Sequence, residues 1–338
     1  NSDRRQRQMC IRDRFRSECR EDRMNHAAEG RHALLQSSME LYRELVDAEK
    51  IECEWTDRGL LLVYQTKSDF EGYAKTVEHL RSRYSVRIDA YPDQAVTEFE
   101  PALKDGLAGG WHFPKDAHVR PDRLVEGFKQ ALGRQVVDLR EQVEVTDIEV
   151  ESGKVAGVRT SAGRFAADLY VVATGAEAPK FAKQLKMQLP IQPGKGYSLT
   201  YDHYVSPPRV PMIFEEHHVA VTPFENGFRV GSTMEFTGYD RSLNPKRLSL
   251  LKESAVAHLK EGVPDQPTES WCGWRPMVYD GLPCIGAVPS LKNLLVAAGN
   301  GMVGLASAPA TGRLIAELAS GKTPHIDPDF YAPDRFRS

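Results

Sequence analysis

Three segments carry residue types at spacings that could do chemistry. The first is Gly299-Asn300-Gly301-Met302-Val303-Gly304, a G-x-G-x-x-G set between an apolar strand over 293–298 and a helix over 306–320. As a dinucleotide fingerprint it would need a further strand after the helix and an acid ~20 positions on to hold a ribose. Instead, Gly321 leads into Lys-Thr-Pro-His and a proline-rich tail. Two readings stay open: a plain strand-to-helix turn, or a turn whose glycines admit a ligand to the positive end and free N–H groups of a helix. The second segment, Asp168 to Gly175, is an apolar strand ending in Ala173, Thr174 and Gly175. Parallel strands end this way where a ligand approaches their carboxyl edge. The third is Trp274-Arg275-Pro276-Met277, followed by Asp280-Gly281-Leu282-Pro283. An arginine among aromatic, apolar and proline residues calls for an anion. Its planar fork suits a carboxylate, whether a ligand's or a structural Asp or Glu.

Other chemistries are excluded. His217 and His218 are neighbours on a predicted strand, so their side chains point to opposite faces and cannot share a metal; no metal site is predicted. There is no G-x-S-x-G, H-E-x-x-H or G-x-x-x-x-G-K-[ST], which removes the signatures of α/β-hydrolases, zincins and P-loop enzymes. The five cysteines contain no C-x-x-C and are odd in number, which predicts reduced thiols and a cytoplasmic setting. With 27% charged residues and a net charge of −3, the chain has no basic footprint for nucleic acid. No apolar run approaches the ~18 residues of a membrane helix.

The 338 residues, 41% of them hydrophobic, are enough for two domains at ~100–200 residues each. The stretch Asn1–Met24 holds eight arginines against five acids. It lacks an apolar run and reads as a non-native leader outside the fold. A helix is predicted near Asn25 to Lys50, with Leu35, Met39, Tyr42 and Val46 as its apolar stripe. Gly59 to Gln65 reads as a buried strand, and Ser68 to Glu71 as a capping box opening a helix to about Arg83. Pro121 and Gly133 bracket a helix with Leu124, Val125, Phe128 and Leu132 inward. Strands follow at 135–139, 143–150, 155–160 and 164–173. Asn226-Gly227 predicts a hairpin turn, Asn244-Pro245 a helix start, and no repeat is found.

Taken together, these features resemble the D-amino-acid oxidase superfamily of flavoproteins, closest to its D-amino-acid dehydrogenase branch. The motifs that carry the likeness are Gly194-Lys195-Gly196-Tyr197-Ser198-Leu199-Thr200, then Gly273-Trp274-Arg275-Pro276-Met277 with Asp280-Gly281-Leu282-Pro283. The third is Gly299 to Gly304 with Ala308-Pro309-Ala310-Thr311-Gly312. The resemblance implies a mixed α/β fold: a doubly wound FAD-binding domain (25–50, 116–190 and 276–338) and an antiparallel-sheet substrate domain (51–115 and 191–275). It implies FAD as cofactor, contacted by Val143, Ala173, Thr174, Gly175, Gly299, Asn300, Gly301, Met302, Val303 and Gly304. Arg275 would bind the substrate carboxylate, and Tyr197 counts with it among the catalytic residues. The implied reaction is oxidative deamination of a D-amino acid, with hydride passing from Cα to flavin N5. A quinone or an electron-transfer protein would accept the electrons, with peripheral membrane contact.

The resemblance also shows departures. The family's first βαβ unit, with its own glycine fingerprint, is not in this sequence, so the chain as written is expected to purify colourless. Met302 and Ala220 stand where glycine oxidases have an arginine and a tyrosine, which favours the dehydrogenase branch. The alternatives are a glycine- or sarcosine-type oxidase using dioxygen, and an inactive fragment.

Overall fold

The computed structural model describes residues 13–202, 204 and 207–336. The chain divides into two compact units, the first Asn1–Lys50, Leu132–Gly194 and Trp274–Ser338, the second Ile51–Ala131 and Lys195–Gly273. Helix α1 (Glu21–Glu49) belongs to the first. Strand β1 (Leu60–Tyr64), helices α2 (Lys67–Gly72) and α3 (Ala74–Tyr84), strand β2 (Asp89–Pro92), helix α4 (Gln94–Phe99), strand β3 (Gly109–Phe113) and helix α5 (Pro121–Gly133) build the second, which α5 leaves at Leu132. Strands β4 (Val145–Glu151), β5 (Lys154–Thr160), β6 (Gly163–Phe165) and β7 (Tyr170–Val172) return to the first. The second resumes at Lys195 within β8 (Ile191–Asp202) and continues through β9 (Met212–Phe214), β10 (Val219–Phe224), β11 (Gly227–Glu235), helix α6 (Pro245–His258) and the start of β12 (Glu269–Val278), whose Trp274–Val278 end belongs to the first unit. Strands β13 (Cys284–Ala287) and β14 (Leu294–Ala298) and helix α7 (Gly304–Ala319) complete the first. The class is mixed α/β, as expected.

In the first unit, β13, β14 and β7 form a sheet whose β14–β7 pair is parallel, while β4, β5 and β6 form a separate antiparallel meander. Leu34, Ile285, Ala310, Leu314 and Tyr331 make a core around α1 and α7. The buried residues of α1 are Gly30, Leu34, Ser38 and Tyr42, not the predicted Leu35, Met39 and Val46. Small residues decide the face: a side chain at Gly30 would lie 2.9 Å from the Phe330 ring. Pro309 sits inside α7, where it cannot donate to the carbonyl four residues back. The Tyr42 hydroxyl donates to that carbonyl, Leu305 O, at 2.6 Å, and the Ala310 N–H donates to Ser38 Oγ at 3.1 Å.

Two expectations for this unit are corrected. Helix α1 starts at Glu21, and a short helix covers 13–18, so part of the arginine-rich stretch is helical. The predicted strand 135–139 joins no sheet, and Val136, Val137 and Leu139 are exposed. Strand preference needs a pairing neighbour to become a strand, and none lies beside it among the described residues.

The eight-stranded sheet that carries the second unit has the order β12-β8-β11-β10-β9-β1-β3-β2, with β8–β11, β11–β10, β10–β9, β1–β3 and β3–β2 antiparallel and β9–β1 parallel. Its main core gathers Tyr197, Leu199, Tyr201, Phe214, Val219, Val221, Phe228 and Val230. Helix α2 is capped by Thr66, whose hydroxyl accepts the Asp69 N–H, rather than by the Ser68–Glu71 box, and it breaks at Tyr73 before α3. The hairpin pairs Phe224 with Gly227, so Glu225 and Asn226 make the turn. Gly227 is needed for a different reason: a Cβ there would lie 2.0 Å from the Tyr201 carbonyl oxygen. Helix α5 has the predicted ends, but Val125 and Leu132 are exposed and Leu124 and Ala131 are buried. A Cβ at Gly127 would meet Ile51 at 2.4 Å. Packing on Ile51 places α5 in this unit, whereas the resemblance assigned 116 onward to the other.

The described cysteines, Cys19, Cys53, Cys272 and Cys284, form no disulfide. No helix among the described residues is long and apolar enough to cross a membrane.

His258 of α6 lies flat on the Phe214 ring, with centroids 3.9 Å apart. Its Nδ1 donates to Ser254 O, and its buried Nε2 has no partner. Burial outweighs Glu216, and with His217 and Lys104 nearby the pKa falls below the usual value near 6.5. The unfolded chain therefore takes up a proton that the folded chain resists, so stability is complete above pH ~6.5 and declines as pH falls. Thermal unfolding between pH 7 and 5 should show a flatter decline in His258→Gln than in the parent. Equal slopes would remove His258 as the cause.

Candidate active site

Two parallel strands deliver their ends to one edge of the first unit's sheet. The last pair in register is Val172 with Val296. Three residues further, each chain reaches a glycine with positive φ, Gly175 at +55° and Gly299 at +86°. The carboxyl edge of adjacent parallel strands is where α/β sheets leave a crevice for ligands. Ala173 and Thr174 are exposed there, and a side chain at Gly175 would meet nothing within 4 Å.

The glycines of Gly299 to Gly304 serve three purposes. A Cβ at Gly299 would lie 2.7 Å from Val278 Cγ2, so this position serves packing. Gly301, φ +57°, opens a short 3-10 turn, and a Cβ there would touch only Met277 Sδ and Cε, at 3.8 Å and 4.0 Å. Gly304 is already helical and begins α7. No side chain caps α7, so its first-turn N–H groups and positive end remain for whatever lies at the turn. The Asn300 amide is committed to the helix, donating to Ser307 Oγ at 2.9 Å and Thr311 Oγ1 at 3.2 Å. The Val303 carbonyl accepts the Ser307 hydroxyl at 2.8 Å. Met302 is 69% exposed.

Alternation along β12 puts Arg275 and Met277 on the same face. Met277 lies against the Gly301 position, so Arg275 projects from the face of the strand that meets the turn. Arg275 is half-buried, and burial pulls its pKa below the ordinary value. Partial desolvation strengthens its attraction for a carboxylate. The oxidised flavin ring is flat, and on reduction it gains negative charge at its pyrimidine edge. A bare glycine turn ending in an uncapped helix fits such an edge, and the open position at Gly175 leaves room beside it. The residues present therefore fit the ring end of FAD.

Two predicted residues lie elsewhere. Val143 is half-buried in the loop entering β4, on the meander rather than the parallel pair. Tyr197 belongs to the second unit, where it is buried and its hydroxyl donates to Glu235 Oε2 at 2.6 Å. Glu235 also accepts from Asn244 Nδ2 at 3.1 Å and Arg247 Nε at 2.8 Å, and these donors hold it below the usual carboxylate range. Burial, reinforced by Glu235, pushes the Tyr197 phenol up. Beside it the buried Lys195 ammonium donates to Asp240 Oδ2 at 2.6 Å and to Ser242 O, which holds Asp240 down at about 2. The lysine of the Gly194 to Thr200 motif thus anchors the segment after β11. Its signal in the sequence was a lone cation within a buried strand. Tyr42 and Ser38, which brace α7, had no such signal.

A profile of the family described as FAD dependent oxidoreductase (DAO) matches residues 15–318. The chain is 32% identical over 286 residues to a D-amino acid dehydrogenase of Paramagnetospirillum magneticum, covering 83% of this chain and 67% of that protein. It is 35% identical over 302 residues to a D-amino acid dehydrogenase of Chromohalobacter salexigens, covering 86% and 71%. Among solved structures, glycine oxidase from Geobacillus kaustophilus superposes with a TM-score of 0.83 at 26% identity, covering 90% of this chain and 83% of that one.

The division among the glycines is open to direct measurement by urea unfolding. Gly299→Ala should cost about 2 kcal/mol or more, from left-handed strain plus overpacking. Gly304→Ala, at a helical position, should be neutral or slightly stabilising. Equal effects at the two positions would contradict the assignment.

Proposed function

The chain belongs to the FAD-dependent oxidoreductase (DAO) family, and from that premise we propose that it carries the substrate-oxidising centre of a D-amino-acid dehydrogenase. The observation that supports this most is the shared side of Arg275 and the Gly301 turn, linked through Met277. On this reading the first unit is the FAD-binding domain and the second the substrate domain. Gly175 and Gly301 to Gly304 hold the ring end of FAD, and Val143 meets its adenine end.

Arg275 takes the substrate carboxylate in its planar fork, which fixes the direction of the α-carbon hydrogen. FAD supplies a two-electron acceptor when bound. The backbone N–H groups at the start of α7 then favour negative charge at the turn more as it develops than before, the differential stabilisation that accelerates a reaction. No protein acid–base pair is required. The imino acid product hydrolyses in water to a 2-oxo acid and ammonia. The acceptor on this reading is a quinone or an electron-transfer protein rather than dioxygen, and the relatives' naming as dehydrogenases supports it. The glycine-oxidase likeness keeps dioxygen as the rival.

With the FAD-loaded protein and D-alanine, Arg275→Ala should lower kcat/KM by about 10- to 150-fold, the loss of one charged hydrogen-bonding group worth roughly 1.5–3 kcal/mol. An unchanged value would end the role given to Arg275. Hydrogen peroxide formed in proportion to substrate consumed would replace the dehydrogenase reading with the oxidase one.

A further inference from the structure

The first unit carries a cavity of about 500 Å³ between two of its own segments, the turns that follow a 3-10 helix over Gly175–Phe181 and the last described residues of the chain. Ala182, Met187, Pro333 and Phe336 give it apolar walls, and Lys183 and Lys186 line it with positive charge. Small-molecule sites have this size and this make-up, mostly apolar with a few placed polar groups.

Both walls are held from behind. Leu185 is fully buried, its N–H donates to Phe181 O at 2.9 Å, and its carbonyl accepts the Ser290 hydroxyl at 2.8 Å. This pins the 182–187 turns with Met187 against the core and both lysines exposed. On the other side Arg335 grips Asp280 through Nε at 2.7 Å and Nη2 at 3.2 Å, and it donates to Pro283 O at 3.0 Å. Its guanidinium lies 4.2 Å from the centroid of the Phe336 ring, which meets Tyr279 edge-on at 5.3 Å. Walls fixed in this way are preorganised, and their apolar surface favours a ligand with an apolar body.

The lysines decide the charge of that ligand. Lys183 and Lys186 form no ion pair or side-chain hydrogen bond among the described residues. Asp334, the acid in the lining, is already engaged by another group. Nearby, Lys180 is matched by Glu177. The two cations in the cavity thus lack the anion that their neighbour has.

We propose that this cavity binds a small carboxylate with an apolar body, the body against Met187 and Phe336 and the carboxylate between Lys183 and Lys186. The site lies wholly within the first unit and does not depend on the reaction proposed above. Exposed ion pairs contribute little each, so the walls supply most of the affinity and the lysines select the charge.

Octanoate is the probe, titrated calorimetrically into the full chain at low ionic strength. It should bind at least about 10-fold more tightly than acetate, which lacks the body, and than octyltrimethylammonium, which reverses the charge. Lys183→Glu/Lys186→Glu should weaken octanoate by about 10-fold and leave the melting temperature unchanged, because both side chains are exposed. Added salt should weaken octanoate in the parent but not in this double variant. Met187→Trp, which puts an indole in the cavity, should weaken it by a similar factor. Absent octanoate binding, or binding that both variants hold within about twofold, would overturn the proposal. Loss in Met187→Trp alone would make the ligand a neutral one, and loss in the double variant alone would mean adsorption of anions to the surface; either overturns it. If Met187→Trp does not fold, the double variant and the acetate comparison decide.

Discussion

Helix α7 presents its positive end to the glycine turn, yet it has neither a capping side chain nor an unbroken hydrogen-bond ladder. Pro309 removes one rung. The freed Leu305 carbonyl is taken by Tyr42, and the neighbouring Ala310 N–H by Ser38, both on α1. Those two side chains lie one helical turn apart. They turn a defect inside α7 into a fixed attachment, and the attachment fixes where the N-terminus of α7 sits relative to the strand ends. An uncapped helix end that could drift would be a poor electrostatic partner, since preorganisation is what makes such dipoles effective.

The same economy shows in the turn itself. Gly299 makes room for Val278, Gly301 supplies a left-handed backbone, and Gly304 starts the helix. Asn300 and Ser307 stitch the turn to the helix from behind, leaving backbone rather than side chains at the front. In the second unit the polar groups are spent differently. Lys195, Tyr197, Glu235 and Arg247 satisfy one another and hold β8, the segment after β11 and the start of α6 together.

Local signals in the sequence located elements well and faces less well. Pro121 and Gly133 bracket α5 because a proline at a first helical position and a glycine at the end act through their own backbones. The stripe on α1 was misplaced by one position, because Gly30 and Ser38 are buried for their smallness and a hydropathy pattern cannot register that. The 135–139 segment has strand-forming residues but no neighbour, and pairing is not a local property. At the site, the glycine turn and Arg275 were legible as types and spacing. The turning of Asn300 toward α7 and the commitment of Tyr197 to Glu235 depend on partners 7 to 38 residues away. No spacing rule reaches that far.

The attachment of α1 to α7 also orders how the chain can mature. Tyr42 and Leu305 are 263 residues apart, and the Tyr331 hydroxyl donates to the Gly30 carbonyl across 301 residues. Contacts of such sequence separation slow folding, because long loops must close before they stabilise anything. A ribosome delivers α1 long before α7, so α1 stays unpartnered until α7 has emerged. The second unit's β8–β11 hairpins can close much earlier from near neighbours, so the unit bearing the glycine turn is the last to consolidate.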